Sequence, residues 1–294
     1  MVQVEVISEI GSNPHNEDAY VVDKEAGVFS VIDGATGLGG LPGKIASETL
    51  SDALTKDASS SQSLLDWILQ GNEKLRWKTE KELNIANLEE IPKEKRSTCG
   101  IAAVQLNNTH INYVHAGDCM FFLKYKNGEV RAITRDPLMS LDNIAIEMMN
   151  NILNQKLSKV DDYQQWDAGK VDSFLKEVKS EIHQQLVHNR RKLNTPDGYG
   201  IVDGSNEVKK YIESGSIPLQ NVSSILLLSD GLQLHENTIS DGQSIWLKTA
   251  IFAFEHGVEQ LKNHIILQES EDRICKKYPR LKPADDKTGI LIKL

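Results

Sequence analysis

Residues 98–134 read TCGIAAVQL NNT HINYVHA GDC MFFLKY KNGE VRAIT. Four short runs, Thr98–Leu106, His110–Ala116, Met120–Tyr125 and Val130–Thr134, carry β-branched and aromatic residues and are parted by turn residues. Asn107-Asn108 and Asn127-Gly128 suit tight reversals between strands. The stretch predicts an antiparallel meander. Upstream, Val2, Val4 and Val6 alternate with Gln3 and Glu5, and Ala19–Asp23 and Gly27–Asp33 add two further β-type runs. Lys44–Lys56 and Leu64–Leu83 have helical spacing. Downstream, Asp142–Arg191 is polar and helix-compatible, and Asn194–Gly204 reads as a loop. Val222–Leu228 predicts a strand, Ser244–Gln268 a helix and Thr288–Leu294 a last strand. No repeat, low-complexity tract or linker interrupts residues 1–294, so the expectation is one α+β domain with helices packed on sheets.

Composition narrows the function. Hydrophobic residues at 39% and charged residues at 26% exclude a disordered chain. With 33 Lys+Arg against 42 Asp+Glu, the net charge of -9 lacks the basic footprint of a nucleic-acid binder. Three cysteines without CxxC spacing (Cys99, Cys119, Cys275) argue against a disulfide framework or structural zinc and predict buried thiols in a reducing compartment. No signal peptide or membrane-spanning run is expected, which points to the cytoplasm. Trp67, Trp77, Trp166 and Trp246 fall in helix candidates and are expected in the core.

The informative feature is where particular acids fall. Asp33 and Asp230 each end a β-type run and precede Gly. Asp118 follows Gly117, Glu17-Asp18 precede a strand, and Asp285-Asp286 precede the last one. Strand ends set side chains on one rim of a rigid sheet. Hard oxygen ligands without His or Cys suit Mg²⁺ or Mn²⁺. A D-G pair alone is an ordinary turn; recurrence at five strand ends is not.

Taken in order, Asn16-Glu17-Asp18-Ala19, Val31-Ile32-Asp33-Gly34-Ala35, Ala116-Gly117-Asp118, Ser229-Asp230-Gly231 and Asp285-Asp286-Lys287-Thr288 resemble the motifs of the type 2C metal-dependent Ser/Thr protein phosphatases. Arg131–Asp136, reading RAITRD, resembles that family's LTxDH strand-to-loop segment. The resemblance implies two antiparallel sheets sandwiched between helical layers, with metals at one end. It implies that Asp33 bridges two Mn²⁺ or Mg²⁺ ions. Glu17 and the Gly34 carbonyl serve one ion, Asp230 and Asp285 the other. Asp285 is preferred to Asp286 because the pattern puts the ligand three residues before Thr288. Asp18 would hold metal-bound water and Asp118 a third, weaker ion. The implied reaction is hydrolysis of phosphoserine or phosphothreonine in a phosphoprotein, by a hydroxide bridging the metals.

The chain departs from the pattern at several points. Three residues before the N-E-D, where members carry a phosphate-gripping Arg, stands Asn13; His15 and Lys44 are the candidate substitutes. G-D-S-R becomes Gly117-Asp118-Cys119-Met120, and the segment after Asp136 is long and helical. These departures motivate an alternative, a catalytically weak phosphatase-like binding module. A third reading, hydrolysis of small phosphoesters, uses the same metals. Gly37–Lys44 fails the P-loop pattern, because Leu38 stands where its first Gly belongs and Ile45 follows Lys44. Arg190-Arg191-Lys192 reads as a solvated helix end.

Overall fold

The computed structural model describes residues 2–56, 62–239 and 243–294. Its first half runs β1 (Gln3–Glu9), β2 (Ala19–Asp23), β3 (Val28–Ala35), α1 (Lys44–Lys56), α2 (Leu64–Leu83), β4 (Thr98–Leu106), β5 (His110–Ala116), β6 (Met120–Tyr125) and β7 (Val130–Ala132). The second half runs α3 (Met139–Leu157), α4 (Ala168–Glu181), α5 (His183–Arg191), α6 (Val208–Tyr211), β8 (Glu213–Pro218), β9 (Val222–Leu228), α7 (Gln243–His256), α8 (Val258–Glu271) and β10 (Lys287–Lys293). The strands form two five-stranded sheets, ordered β1-β10-β9-β6-β7 and β2-β3-β4-β5-β8. Every named pairing is antiparallel.

Three apolar layers hold this sandwich together. Phe29, Val31, Ala102, Phe121, Leu227 and Ile290 meet between the sheets. Val28 and Ile32 point the other way, against Leu50 and Leu54 of α1 and Trp67, Ile68 and Leu75 of α2. Phe122, Leu226 and Leu291 pack on Trp246, Ala250, Leu261 and Ile265 of α7 and α8. Strands covered on both faces need apolar residues at successive positions, which is why GVFSVI reads as a near-continuous run. Each fully buried Leu or Ile contributes about 1.5–3 kcal/mol of transfer free energy. A separate cluster, with Met149, Leu153, Leu175 and Val178, joins α3 to α4 and forms the extra helical segment.

The meander forms as expected, with Asn107 Oδ1 accepting from the Thr109 and His110 amides and Gly128 at φ 90°. Other elements differ from the sequence reading. Segment 142–191 is three helices starting at Met139. The long helix expected over 244–268 is broken in two at Gly257, whose φ of 89° ends α7 and lets the chain pass Glu5. Strand β7 stops at Ala132, because Thr134 Oγ1 takes the Phe121 amide that a strand carbonyl would have accepted. Asp33 and Gly34 lie inside β3, which runs on to Ala35. Strand β8 has no sequence signal: it is an edge strand, ESGSIP, with no residue fully buried. Trp67 and Trp246 are core residues, but Trp77 is 67% exposed on α2, and Trp166 is half-buried against Phe174. All three cysteines are free and buried. Among the described residues no helix is long and apolar enough to cross a membrane.

Candidate functional site

A cavity of about 570 Å³ opens at one end of the sandwich, where both sheets deliver acids. Asp33 comes from β3, Asp118 from the β5–β6 turn, Asp230 from the end of β9 and Asp285 from the lead into β10. Asp118 fits because its neighbours are small. Gly117 takes φ 80°, and a Cβ on Gly100 would sit 2.9 Å from Asp118 Oδ1. Glu17 lines the same wall; its Oε1 accepts from the Gly43 amide at 2.9 Å and from Thr36 Oγ1. A Cβ on Gly34 would collide with the Glu17 carbonyl, so the N-E-D loop and β3 pack backbone to backbone there. Asp18 is anchored by Ser229 Oγ at 2.9 Å.

Crowding these carboxylates raises their pKa values. Withdrawal from bulk water lifts Asp33 well above the usual range, and Asp18, Asp230, Asp118 and Asp285 add to it. The same withdrawal, with Asp285 next in effect, pushes Asp18 up to about 8. Asp230 rises to about 7, again through desolvation and then Asp285. Desolvation and Asp136 take Asp118 to about 7. The cation ion-paired with Asp285 is Lys282. Burial opposes its charge, but Asp285, Asp230 and Asp33 outweigh that and hold it protonated.

The chemistry of the wall fits divalent cations. The donors are hard oxygens, and Asp230 Oδ1 is buried without a hydrogen-bond partner among the described residues. Asp33, Asp118 and Cys119 each present a ligand atom within 4.8 Å of the others. Desolvation keeps the Cys119 thiol far above its ordinary range, so sulfur is not an available thiolate.

Other sequence candidates separate clearly. Asp286 is 2% exposed and faces away from the cavity. Its carboxylate accepts from the Gly11 amide (2.7 Å), the Glu17 amide (2.8 Å) and Asn13 Nδ2 (3.3 Å), pinning the loop that carries Glu17. Asn13 reaches the cavity wall, but His15 and Lys44 do not. His15 is exposed, and Lys44 Nζ lies 3.6 Å from Glu48 Oε1 on the outer face of α1. The pairing follows helix geometry, since i and i+4 share a face.

Several residues of the cavity escape sequence reading. Asp136 lines it, with Oδ2 held by Trp246 Nε1 (3.1 Å) and Oδ1 by the Leu138 and Met139 amides. Asp142 and Lys179 come from the extra helices, and Arg190 from the last turn of α5. Arg190 therefore is not a solvated helix end, whereas Arg191 pairs with Glu94 at 2.8 Å outside the cavity. The RAITRD segment was a usable signal for Asp136. Nothing local marked Arg190, whose partner Thr98 lies 92 residues away.

Comparison with known proteins agrees with this architecture. The chain is similar in fold to the Mycobacterium tuberculosis serine/threonine phosphatase PstP/Ppp (TM-score 0.56, 17% identity, covering 100% of this chain and 98% of that one). It is likewise similar to the catalytic domain of serine threonine protein phosphatase PstP in complex with two manganese ions (0.56, 16%, 99% and 97%). A third similar structure is the serine/threonine phosphatase Stp1 from Staphylococcus aureus (0.52, 16%, 100% and 95%). No curated protein matches. The family model for protein phosphatase 2C matches residues 8–264, a span that holds the N-E-D loop, β3, the β5–β6 turn and the end of β9. The chain belongs to the protein phosphatase 2C family.

Proposed function

We propose that this chain hydrolyses phosphoserine and phosphothreonine in proteins with the help of Mn²⁺ or Mg²⁺. The observation that carries the reading is the convergence of Asp33, Asp118, Asp230 and Asp285 on one cavity wall, with a buried Asp230 oxygen left without a donor. Carboxylates packed this closely cannot all ionise near neutral pH unless cations join them. Glu17, Asp33, the Gly34 carbonyl, Asp230 and Asp285 would hold two ions, and Asp118 a third. Bound ions of this kind lower the pKa of water and stabilise charge on phosphoryl oxygens.

The protein's own groups do the positioning. Asp18 stands behind the lining carboxylates, outside the cavity surface itself; Ser229 Oγ fixes it, and from there it would hold water at the metal site. Asp286 and Gly43 hold the backbone and side chain of Glu17. Trp246 and two amides fix Asp136 near Asp118. Leu138, Leu141, Ile146 and Leu186 form an apolar flank that would exclude water and receive a residue beside the phosphorylated one. Three buried free thiols fit a reducing, cytoplasmic setting.

Hydrolysis of para-nitrophenyl phosphate and of a phosphothreonine peptide, with Mn²⁺, with Mg²⁺ and with chelator, tests this. Turnover should require metal and return when it is restored. Activity that survives thorough chelation overturns the reading.

A further inference from the structure

A phosphomonoester dianion entering the cavity meets Asp33, Asp118, Asp136, Asp142, Asp230 and Asp285. Metal ions aside, the chain must offer that dianion a fixed positive group or it is repelled. Four cations line the cavity: Lys179, Arg190, Arg280 and Lys282. Two are already committed to carboxylates. Lys282 Nζ pairs with Asp285. Arg280 Nη1 lies 2.8 Å from Asp272 Oδ2 and also donates to the Tyr278 carbonyl. Lys179 reaches the cavity on a long stem that loses rotamer freedom whenever it grips an anion, and withdrawal from water and the neighbouring Lys282 charge disfavour its protonated form.

Arg190 is different in kind. Its Nη1 donates to Thr98 Oγ1 at 3.0 Å and its Nη2 to the Thr36 carbonyl at 3.4 Å. Both acceptors are neutral, and among the described residues no carboxylate lies within ion-pair distance of it. Thr36 follows β3, which carries Asp33, and Thr98 opens β4 opposite Ala35. The guanidinium is thereby pinned beside the strand ends that hold the acids. Two of its five N–H donors are used, and among the described residues no other acceptor engages it. A cation held in place before the ligand arrives loses little entropy on binding. A planar fork also matches two phosphate oxygens at once. Asn13 on the same cavity is neutral, and its amide is engaged by Asp286.

We propose that Arg190, delivered by the extra helical segment and anchored by Thr98 and Thr36, is the residue that binds the substrate phosphoryl group. The proposal rests on the phosphatase reading above. It gives helices α3–α5 a task in the reaction, because the last turn of α5 brings the charge that position 13 lacks.

The test compares wild type, Arg190→Lys and Arg190→Gln with Mg²⁺. Three quantities are read: kcat/KM for para-nitrophenyl phosphate, the dissociation constant of inorganic phosphate by calorimetry, and the rise in melting temperature on adding Mg²⁺. In Arg190→Gln, kcat/KM should fall about tenfold to a hundredfold, the range for losing hydrogen bonds to a charged partner. Phosphate should bind weaker by a similar factor, while the Mg²⁺-induced rise stays at its wild-type value. Arg190→Lys should recover part of both, since it keeps the charge without the fork. Unchanged phosphate binding and kcat/KM in Arg190→Gln would overturn the proposal. So would a loss of the Mg²⁺ response in parallel with activity, which marks Arg190 as a strut of α5. A wild type that turns over no substrate refutes the phosphatase reading instead. Phosphate calorimetry on the same proteins still decides the anion site: binding lost in Arg190→Gln supports it, and equal binding refutes it.

Discussion

Replacing Asp230 by Asn should make the metal-free protein more stable while removing its response to metal. The argument starts from the pKa of about 7 that desolvation and Asp285 impose on Asp230. In the unfolded chain the same carboxyl titrates near 4. Between these values the folded state holds a proton that the unfolded state has released, so the unfolded state binds fewer protons. Stability of the metal-free protein must then fall as pH rises from about 4 through about 7, and stay low above it. At ~1.36 kcal/mol per pH unit the full lift corresponds to about 4 kcal/mol. The side chain keeps part of its surface open to the cavity, and coupling to Asp285 and Asp118 shares the cost, so about 2–4 kcal/mol is the expected gain for the variant at about pH 8. An amide nitrogen in place of one oxygen can also donate to the neighbouring carboxylates, which an ionised Asp230 cannot. For a chain of this size such a gain raises the melting temperature by roughly 4–10 °C.

The assay is thermal unfolding of wild type and Asp230→Asn in chelator across about pH 5 to 8. His115, buried and pushed down to about 4 by desolvation, adds a slope of opposite sign between about 4 and its unfolded value of 6.5. Both proteins share it, so it cancels in their difference. Adding Mn²⁺ should then reverse the order, because ligand that binds only the folded wild type stabilises it by mass action. If the variant in chelator at about pH 8 melts at or below the wild-type temperature, the crowded-carboxylate reasoning fails. If Mn²⁺ raises both proteins equally, Asp230 is not a ligand.

Two further substitutions probe the frame around the site. Asp286→Ala removes a charged acceptor from the Gly11 and Glu17 amides, which at about 1.5–3 kcal/mol per bond should cost about 3–6 kcal/mol in urea unfolding; a loss under ~1 kcal/mol would mean water replaces it without penalty. Lys287→Met strips the buried Glu269 of its partner at 2.9 Å and the Asp285 carbonyl of a donor, so it should destabilise by about 3–5 kcal/mol. Adding Glu269→Gln should recover part of that loss, and a double variant as unstable as the single one would refute the pairing.

Much of this protein is legible without coordinates, for a definite reason. Strands covered on both faces must be apolar along their length, so GVFSVID and SSILLL stand out, and an acid just beyond such a run can only sit on a sheet rim. Asp118, Asp230 and Asp285 flank strand ends and Asp33 lies two residues before the end of β3, so the apolar runs point to all four even where the strand runs on past the acid. Strand β8 is invisible for the converse reason: an edge strand with ESGSIP buries too little to need a pattern. Proximity in sequence misleads where helix geometry intervenes, as with Lys44, which adjoins the Gly-rich loop yet turns outward to Glu48. The division of labour between Asp285 and Asp286 rests on contacts with Gly11, Asn13 and Glu17, more than 260 residues away along the chain. Arg190 likewise sits in a run of three basic residues that looks the same whether it meets solvent or a cavity. Local residue chemistry determines which groups can ionise, ligate or turn the chain. Which of them share a wall, and so shift each other's protons and leave Arg190 beside the acids but outside ion-pair distance of any described carboxylate, is decided only when two sheets and helices α3–α5 close around the same space.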